Sequence, residues 1–193
     1  MRVRLIVATA AGYLLGCLPV ARSVTRRHGI DDLREVGDRN PGAWNTMELV
    51  GVRAAVPVFL GDTAKGAAAA ALGAAIVPTW WSPYVTGGAA MVGHAHPVTD
   101  DFRGGRSVLT FVGTGVVAAP RAAGTSVALA AVVWATTRRF DVAARVGVAV
   151  FPIAQLAIEG PRRTAATGAL MTFVGLRFAR AAHEERTIAD LAT

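Results

Sequence analysis

Seven apolar segments, at residues 5–21, 49–77, 84–98, 107–120, 122–137, 142–158 and 164–176, alternate with polar or arginine-bearing stretches along the 193 residues. Such segments read as membrane-crossing helices, which need about 20 mostly apolar residues to span ~30 Å of hydrocarbon. The predicted fold is therefore all-α, a polytopic transmembrane helical bundle of about seven spans forming one integral membrane domain over 1–193. The first segment is uncharged for 17 residues. It reads as a retained span rather than a signal peptide, because no small-residue cleavage site followed by a soluble domain comes after it.

Two polar interruptions stand out. Residues 23–47 hold His28, Asp31, Asp32, Arg34, Glu35, Asp38 and Arg39 before the turn signal Asn40-Pro41-Gly42. That stretch is long for a mere connector and is a functional candidate. The second, 98–107, follows His94-Ala95-His96 and contains Asp100, Asp101 and Arg103-Gly104-Gly105-Arg106. A glycine pair can turn successive backbone N–H groups toward one point, where flanking arginines favour phosphate or a similar anion. A solvated turn between two helices is the other reading of the same residues. Within the second span, Asp62 and Lys65 lie three apart on one helical face, where they can pair and point into the bundle. Ionisable groups inside a membrane are functional candidates by default.

Composition agrees with a membrane protein: 53% of residues are hydrophobic and 17% charged. The net charge of +7 does not indicate nucleic acid, since the arginines lie between apolar spans rather than along one exposed face. With the N-terminus outside and the C-terminus cytoplasmic, twelve arginines fall inside and five outside (Arg2, Arg4, Arg121, Arg162 and Arg163). This bias supports that orientation and puts both polar loops on the cytoplasmic side. Cys17 is the sole cysteine, which rules out an intrachain disulfide and a thiolate metal cluster. His94 and His96 with Asp100 and Asp101 could ligate a metal, but histidines two apart do not share a helical face. No metal or other cofactor is expected. Ser107 suits the N-cap of the fourth span, Asp100 and Asp101 read as solvated, and Gly113, Gly115 and Gly168 read as helix-packing contacts.

Four stretches carry a family resemblance. They are Gly12-Tyr13-Leu14-Leu15-Gly16-Cys17-Leu18-Pro19; Gly29-Ile30-Asp31 through Gly37-Asp38-Arg39-Asn40-Pro41-Gly42-Ala43-Trp44-Asn45; Gly61-Asp62-Thr63-Ala64-Lys65-Gly66; and Gly93-His94-Ala95-His96-Pro97-Val98 with Phe102-Arg103-Gly104-Gly105-Arg106. In order and spacing they resemble the bacterial membrane-embedded glycerol-3-phosphate acyltransferases that use acyl phosphate. The resemblance covers about residues 9–115, and beyond it only hydropathy matches. It implies transfer of a fatty acyl group from acyl phosphate to the 1-hydroxyl of glycerol 3-phosphate, giving lysophosphatidate for phospholipid synthesis at the bacterial cell membrane. Acyl phosphate, glycerol 3-phosphate and membrane lipid are the implied partners.

Carried over residue by residue, His94 orients or deprotonates the hydroxyl and Asp38 occupies a second catalytic position. Asn40 and Asn45 donate hydrogen bonds from the first loop. Gly104 and Gly105 present backbone N–H groups, and Lys65, Arg103 and Arg106 balance phosphate charge, with Arg39 either pairing with Asp38 or reaching the phosphate itself. The chain departs from the family pattern at Asp38-Arg39, where that pattern has serine and glycine. It also has Trp44 for threonine, Glu48 for arginine, and Arg103 and Arg106 for lysines. A carboxylate at 38 opposes an anionic substrate, so a non-catalytic or substrate-altered relative that binds lipid or phosphate is the alternative. A small transporter using the Asp62–Lys65 pair is a third reading, weakened by the lack of paired broken helices in matching halves.

Overall fold

The computed structural model describes residues 1–191, and every regular element among them is helical. Nine α-helices follow one another: α1 Arg2–Gly16, α2 Val20–Thr25, α3 Ala43–Val50, α4 Val52–Ile76, α5 Ser82–Ala95, α6 Val108–Ala118, α7 Pro120–Thr137, α8 Phe140–Glu159 and α9 Pro161–Leu191. Five of the seven apolar segments each correspond to one helix, and the first two are interrupted, for local reasons. The first segment is not one helix. Pro19 lacks the N–H that would continue the ladder, and the chain breaks at Cys17–Pro19 before restarting as α2. The second segment is cut at Gly51, whose φ of 108° only glycine adopts readily, so its first residues belong to α3. The last helix runs past 176 to Leu191, fifteen residues beyond the hydropathy boundary.

The expected loop 23–47 is largely made of short helices. After α2 a 3-10 turn, Arg26–His28, stops at Gly29 with φ 79°. A second 3-10 turn, Leu33–Glu35, is capped by Asp32, whose carboxylate accepts the Arg34 N–H at 2.9 Å. Leu33, Ala21 and Val58 form a small apolar cluster that seats this segment on α4.

The inner bundle is α1, α4, α5 and α6. Glycines let its backbones touch: a Cβ at Gly16 would collide with the Ala90 carbonyl, and one at Gly66 or Gly113 with the carbonyls of Thr110 and Thr63. Gly115 packs on the Phe151 ring, whereas a Cβ at Gly168 would meet nothing within 4 Å, so Gly168 is not a packing contact in this structure. The main core is formed by Met91, Phe111, Phe151, Ala119, Ala122 and Ala123, and it fastens the α7–α8 pair to the inner bundle. Arg2–His28 and Asp141–Glu159 are each long and apolar enough to cross a membrane on length and composition. By contrast α5 and α6, with 14 and 11 residues, reach only about 21 and 16 Å, so they cannot each traverse ~30 Å as straight isolated helices.

Candidate active site

Asp62 and Lys65 sit midway along α4, on the face turned toward α5. Lys65 Nζ donates to Asp62 Oδ1 at 2.8 Å, and both are almost fully buried, at 5% and 2% exposed. The last turn of α5 brings His94 beside them, with Nδ1 3.7 Å from the same Asp62 oxygen. A small cavity of about 40 Å³ opens at this trio, walled by the Cys17–Pro19 break, Arg22 and the glycine pair. The helix break missed by hydropathy therefore has a positional consequence: it leaves room next to the buried charges.

The glycine pair does not form the expected anion nest. Gly104 N–H donates to the Ala95 carbonyl at 2.9 Å and Gly105 N–H to the His94 carbonyl at 3.1 Å, so both satisfy the end of α5. Glycine is needed for clearance instead. A Cβ at Gly105 would stand 2.5 Å from His94 Nε2, and one at Gly104 would strike the His94 carbonyl. The 104–105 segment thus lies directly across the imidazole, with Gly105 against Nε2.

The turn before it is held by arginines. Asp100, expected to be solvated, is paired with Arg22 at 2.7 Å and with Arg34 at 3.3 Å. Arg34 also donates to the carbonyls of Asp100 and Arg103 at 3.3 and 3.2 Å and binds Asp32 at 2.6 Å. Hydrogen bonding to Arg34 holds the Asp32 carboxyl below its ordinary range. The Asp32–Arg34 pair therefore contributes stability above the ordinary carboxylate range, and that contribution is lost as pH falls through the lowered titration of Asp32. Asp101 and Phe102 take successive left-handed conformations, φ 53° and 57°, so the clamp fixes a conformation that non-glycine residues disfavour. Ser107 is also left-handed, and its hydroxyl donates to the Met91 carbonyl rather than capping α6.

Residues 23–47 and 98–107 meet at one end of the bundle. Arg106 donates through Nη1 to Asp38 Oδ2 at 2.9 Å, and its backbone N–H donates to Asn40 Oδ1 at 3.1 Å. Asn45 is fully buried; its amide donates to the Leu33 and Val36 carbonyls, and its Oδ1 accepts the Asp38 N–H at 3.2 Å. Those bonds hold the loop together. Arg39 is exposed and left-handed, with φ 55°. Glu48 is exposed on α3.

A cleft of about 410 Å³ opens between these loops and the end of α9. Arg34, Arg39, Arg103, Arg106, Arg177 and Arg180 line it, with Asp38, Glu184 and Glu185 among them. Six guanidiniums against three carboxylates leave the cleft with an excess of positive charge. The α9 residues were invisible to sequence reasoning, because only hydropathy was legible there. Arg177 Nη2 donates to the Gly104 carbonyl at 3.0 Å, and Phe178 lies under the Arg106 guanidinium, 4.9 Å from ring to Cζ.

A helical bundle with a buried ion pair and, at one end, an arginine-lined cleft has the build of an integral membrane protein. The chain belongs to the glycerol-3-phosphate acyltransferase family, whose family model matches residues 6–189 and so runs well beyond the motifs legible by eye. Glycerol-3-phosphate acyltransferase of Rhizobium etli strain CFN 42 is 35% identical over 181 residues, covering 88% of this chain and 81% of the relative. The enzyme of the same name from Rubrobacter xylanophilus is 39% identical over 145 residues, covering 75% and 72%. In fold, the chain matches crystal structures of PlsY (YgiH), an integral membrane glycerol 3-phosphate acyltransferase. The glycerol 3-phosphate form has a TM-score of 0.79, 24% identity, and coverage of 95% of this chain and 92% of that one. The lysophosphatidic acid form gives a TM-score of 0.76 at 22% identity.

Proposed function

We propose that the chain transfers a fatty acyl group from acyl phosphate to the 1-hydroxyl of glycerol 3-phosphate, releasing lysophosphatidate and inorganic phosphate at the cytoplasmic face of the bacterial cell membrane. The observation that carries this reading is the placement of His94, Asp62 and Lys65 around one small cavity whose wall residue Gly104 also lines the arginine-lined cleft, in a chain of this family. Acyl phosphate is a mixed anhydride. The new bond forms between the glycerol oxygen and the acyl carbon, the bond from that carbon to the phosphate oxygen breaks, and phosphate leaves with its charge. Neither a metal nor a covalent enzyme intermediate is needed, so the work left to the protein is alignment, proton removal and charge balance.

The geometry distributes these tasks. His94 Nδ1 faces Asp62, so the carboxylate favours the tautomer with its proton on Nδ1 and leaves Nε2, beside the cavity-lining Gly105, to accept the hydroxyl proton. Lys65, held by Asp62, places positive charge where the carbonyl oxygen and departing phosphate gain negative charge. Arg103 and Arg106 receive phosphate. Asn40 fixes Arg106, Asn45 fixes the first loop, and Gly104 and Gly105 provide the space over His94. Asp38, paired with Arg106, competes with the substrate for that guanidinium, and Arg39 stands at the cleft mouth.

The reading also sets the whole chain in the membrane as one domain of about seven helical segments, α1 and α4 to α9, of which the short α5 and α6 do not by themselves reach across ~30 Å. The N-terminus is outside and the C-terminus cytoplasmic, by the excess of arginine at the site end. A non-catalytic relative is the second reading, favoured by one observation: the Asp38 carboxylate already neutralises Arg106. Donor discrimination separates the two. Purified protein supplied with glycerol 3-phosphate is expected to form lysophosphatidate from palmitoyl phosphate and none from palmitoyl coenzyme A. Binding of glycerol 3-phosphate without transfer from either donor identifies the non-catalytic relative.

A further inference from the structure

Among the described residues three of the guanidiniums lining the cleft meet no carboxylate, and of these Arg39 and Arg103 are exposed whereas Arg177 is half-buried. Arg106 is ion-paired to Asp38 at 2.9 Å, Arg34 to Asp32 at 2.6 Å, and Arg180 to Glu184 at 2.9 Å. Among the described residues Arg177 has no carboxylate within ion-pair distance, and its one acceptor is the Gly104 carbonyl. The positive charges of Arg106 and Arg180 bear on it unfavourably, offset in part by Glu184. The Nε–H groups of both Arg177 and Arg106 are buried without an acceptor. Guanidiniums that line one cleft together favour an anion between them.

We infer that Arg177 is a substrate-binding residue that receives the acceptor's phosphate, standing in for the charge that Asp38 removes from Arg106. This rests on the acyl-transfer reading above. The C-terminal helix then completes the acceptor seat, and the donor's phosphate belongs to the Lys65 end. Glycerol 3-phosphate bridges the two, with its phosphate at Arg177 and its hydroxyl toward His94. The tie from Arg177 to Gly104 couples occupation of that seat to the segment lying across the imidazole.

Steady-state kinetics with palmitoyl phosphate test the assignment. Arg177→Gln is expected to raise KM for glycerol 3-phosphate about tenfold or more, the loss of a charge-assisted hydrogen bond, with kcat and the KM for palmitoyl phosphate nearly unchanged. Arg177→Lys, which keeps the charge, should fall between. Arg186→Gln removes an exposed charge from the same helix and should leave all three constants alone. An unchanged KM for glycerol 3-phosphate, a rise in the palmitoyl phosphate KM instead, or a fall in kcat alone in both Arg177 variants overturns the proposal. Calorimetric binding of inorganic phosphate separates it from the reading on which it rests. If the unaltered chain lacks turnover yet binds phosphate more tightly than Arg177→Gln, the acyl-transfer reading fails and the seat stands; equal binding by the two proteins removes the seat.

Discussion

Breaking the Asp62–Lys65 pair is expected to cost more stability than any surface change in the protein. Both partners are nearly inaccessible, and Lys65 Nζ has Asp62 Oδ1 as its hydrogen-bond acceptor at 2.8 Å. Asp62→Ala leaves an ammonium buried without its counter-charge, for which the cost is about 3–5 kcal/mol. Total stabilities are only ~5–15 kcal/mol, so the variant should melt far below the unaltered protein or fail to accumulate. The double variant Asp62→Leu with Lys65→Met removes both charges at similar volume. Its stability should return close to that of the unaltered chain, because an ion pair replaced by packed apolar groups is often neutral or better. Acyl transfer should not return with it. Thermal melts in detergent alongside turnover check both halves, and recovery of activity in the double variant would show that the pair is only structural.

His94→Ala is expected to lower kcat by about 10²–10⁴-fold, the usual contribution of a positioned general base, while the protein remains folded. The imidazole lies beside the Asp62–Lys65 pair, and its removal opens space next to the ~40 Å³ cavity without stranding a charge. The KM for glycerol 3-phosphate should change little, since the phosphate is held by arginines in the larger cleft. His94→Gln preserves most of the volume and a hydrogen-bonding group but cannot take the proton. It should be as inactive as the alanine variant. If glutamine restores turnover, His94 orients the hydroxyl and the proton goes elsewhere.

How much of this was legible beforehand differs from residue to residue. The Asp62–Lys65 contact followed from i, i+3 spacing alone, because helical geometry fixes that proximity whatever the surroundings. That 23–47 and 98–107 share one end followed from the arginine bias, and the Arg106–Asp38 and Arg34–Asp100 contacts bear this out. The glycine pair was misread because glycine serves either backbone conformation or close approach. Which one applies here is set by the His94 side chain beneath it, a tertiary fact. Asn45 and Asp100 likewise found partners far away in sequence or across the loop. Arg177 carried no local signal at all, since its role depends on where α9 passes the cleft.

Arg39 shows how structure reinterprets a departure from the family pattern. The pattern has glycine there, and the backbone at that position is left-handed, with φ 55°, a conformation that costs a non-glycine residue roughly 1–2 kcal/mol. Arg39 therefore brings strain as well as charge, and it does not pair with Asp38, whose carboxylate faces Arg106 instead. The cost at Asp38 is likewise not simple repulsion, because its charge is already matched. What the substrate loses is a free guanidinium.

The measurement that bears most directly on the site is the steady-state rate of lysophosphatidate formation by the unaltered chain and by the Asp38→Ser, Arg39→Gly, Glu48→Arg variant, as a function of glycerol 3-phosphate. Freeing Arg106 restores one charge-assisted hydrogen bond, so the expected result is a KM about tenfold lower or better in the variant, with a higher kcat/KM and activity again abolished by adding His94→Ala. A variant slower than an already efficient parent would contradict this, and would mean that Asp38 or Arg39 serves the reaction rather than obstructing it.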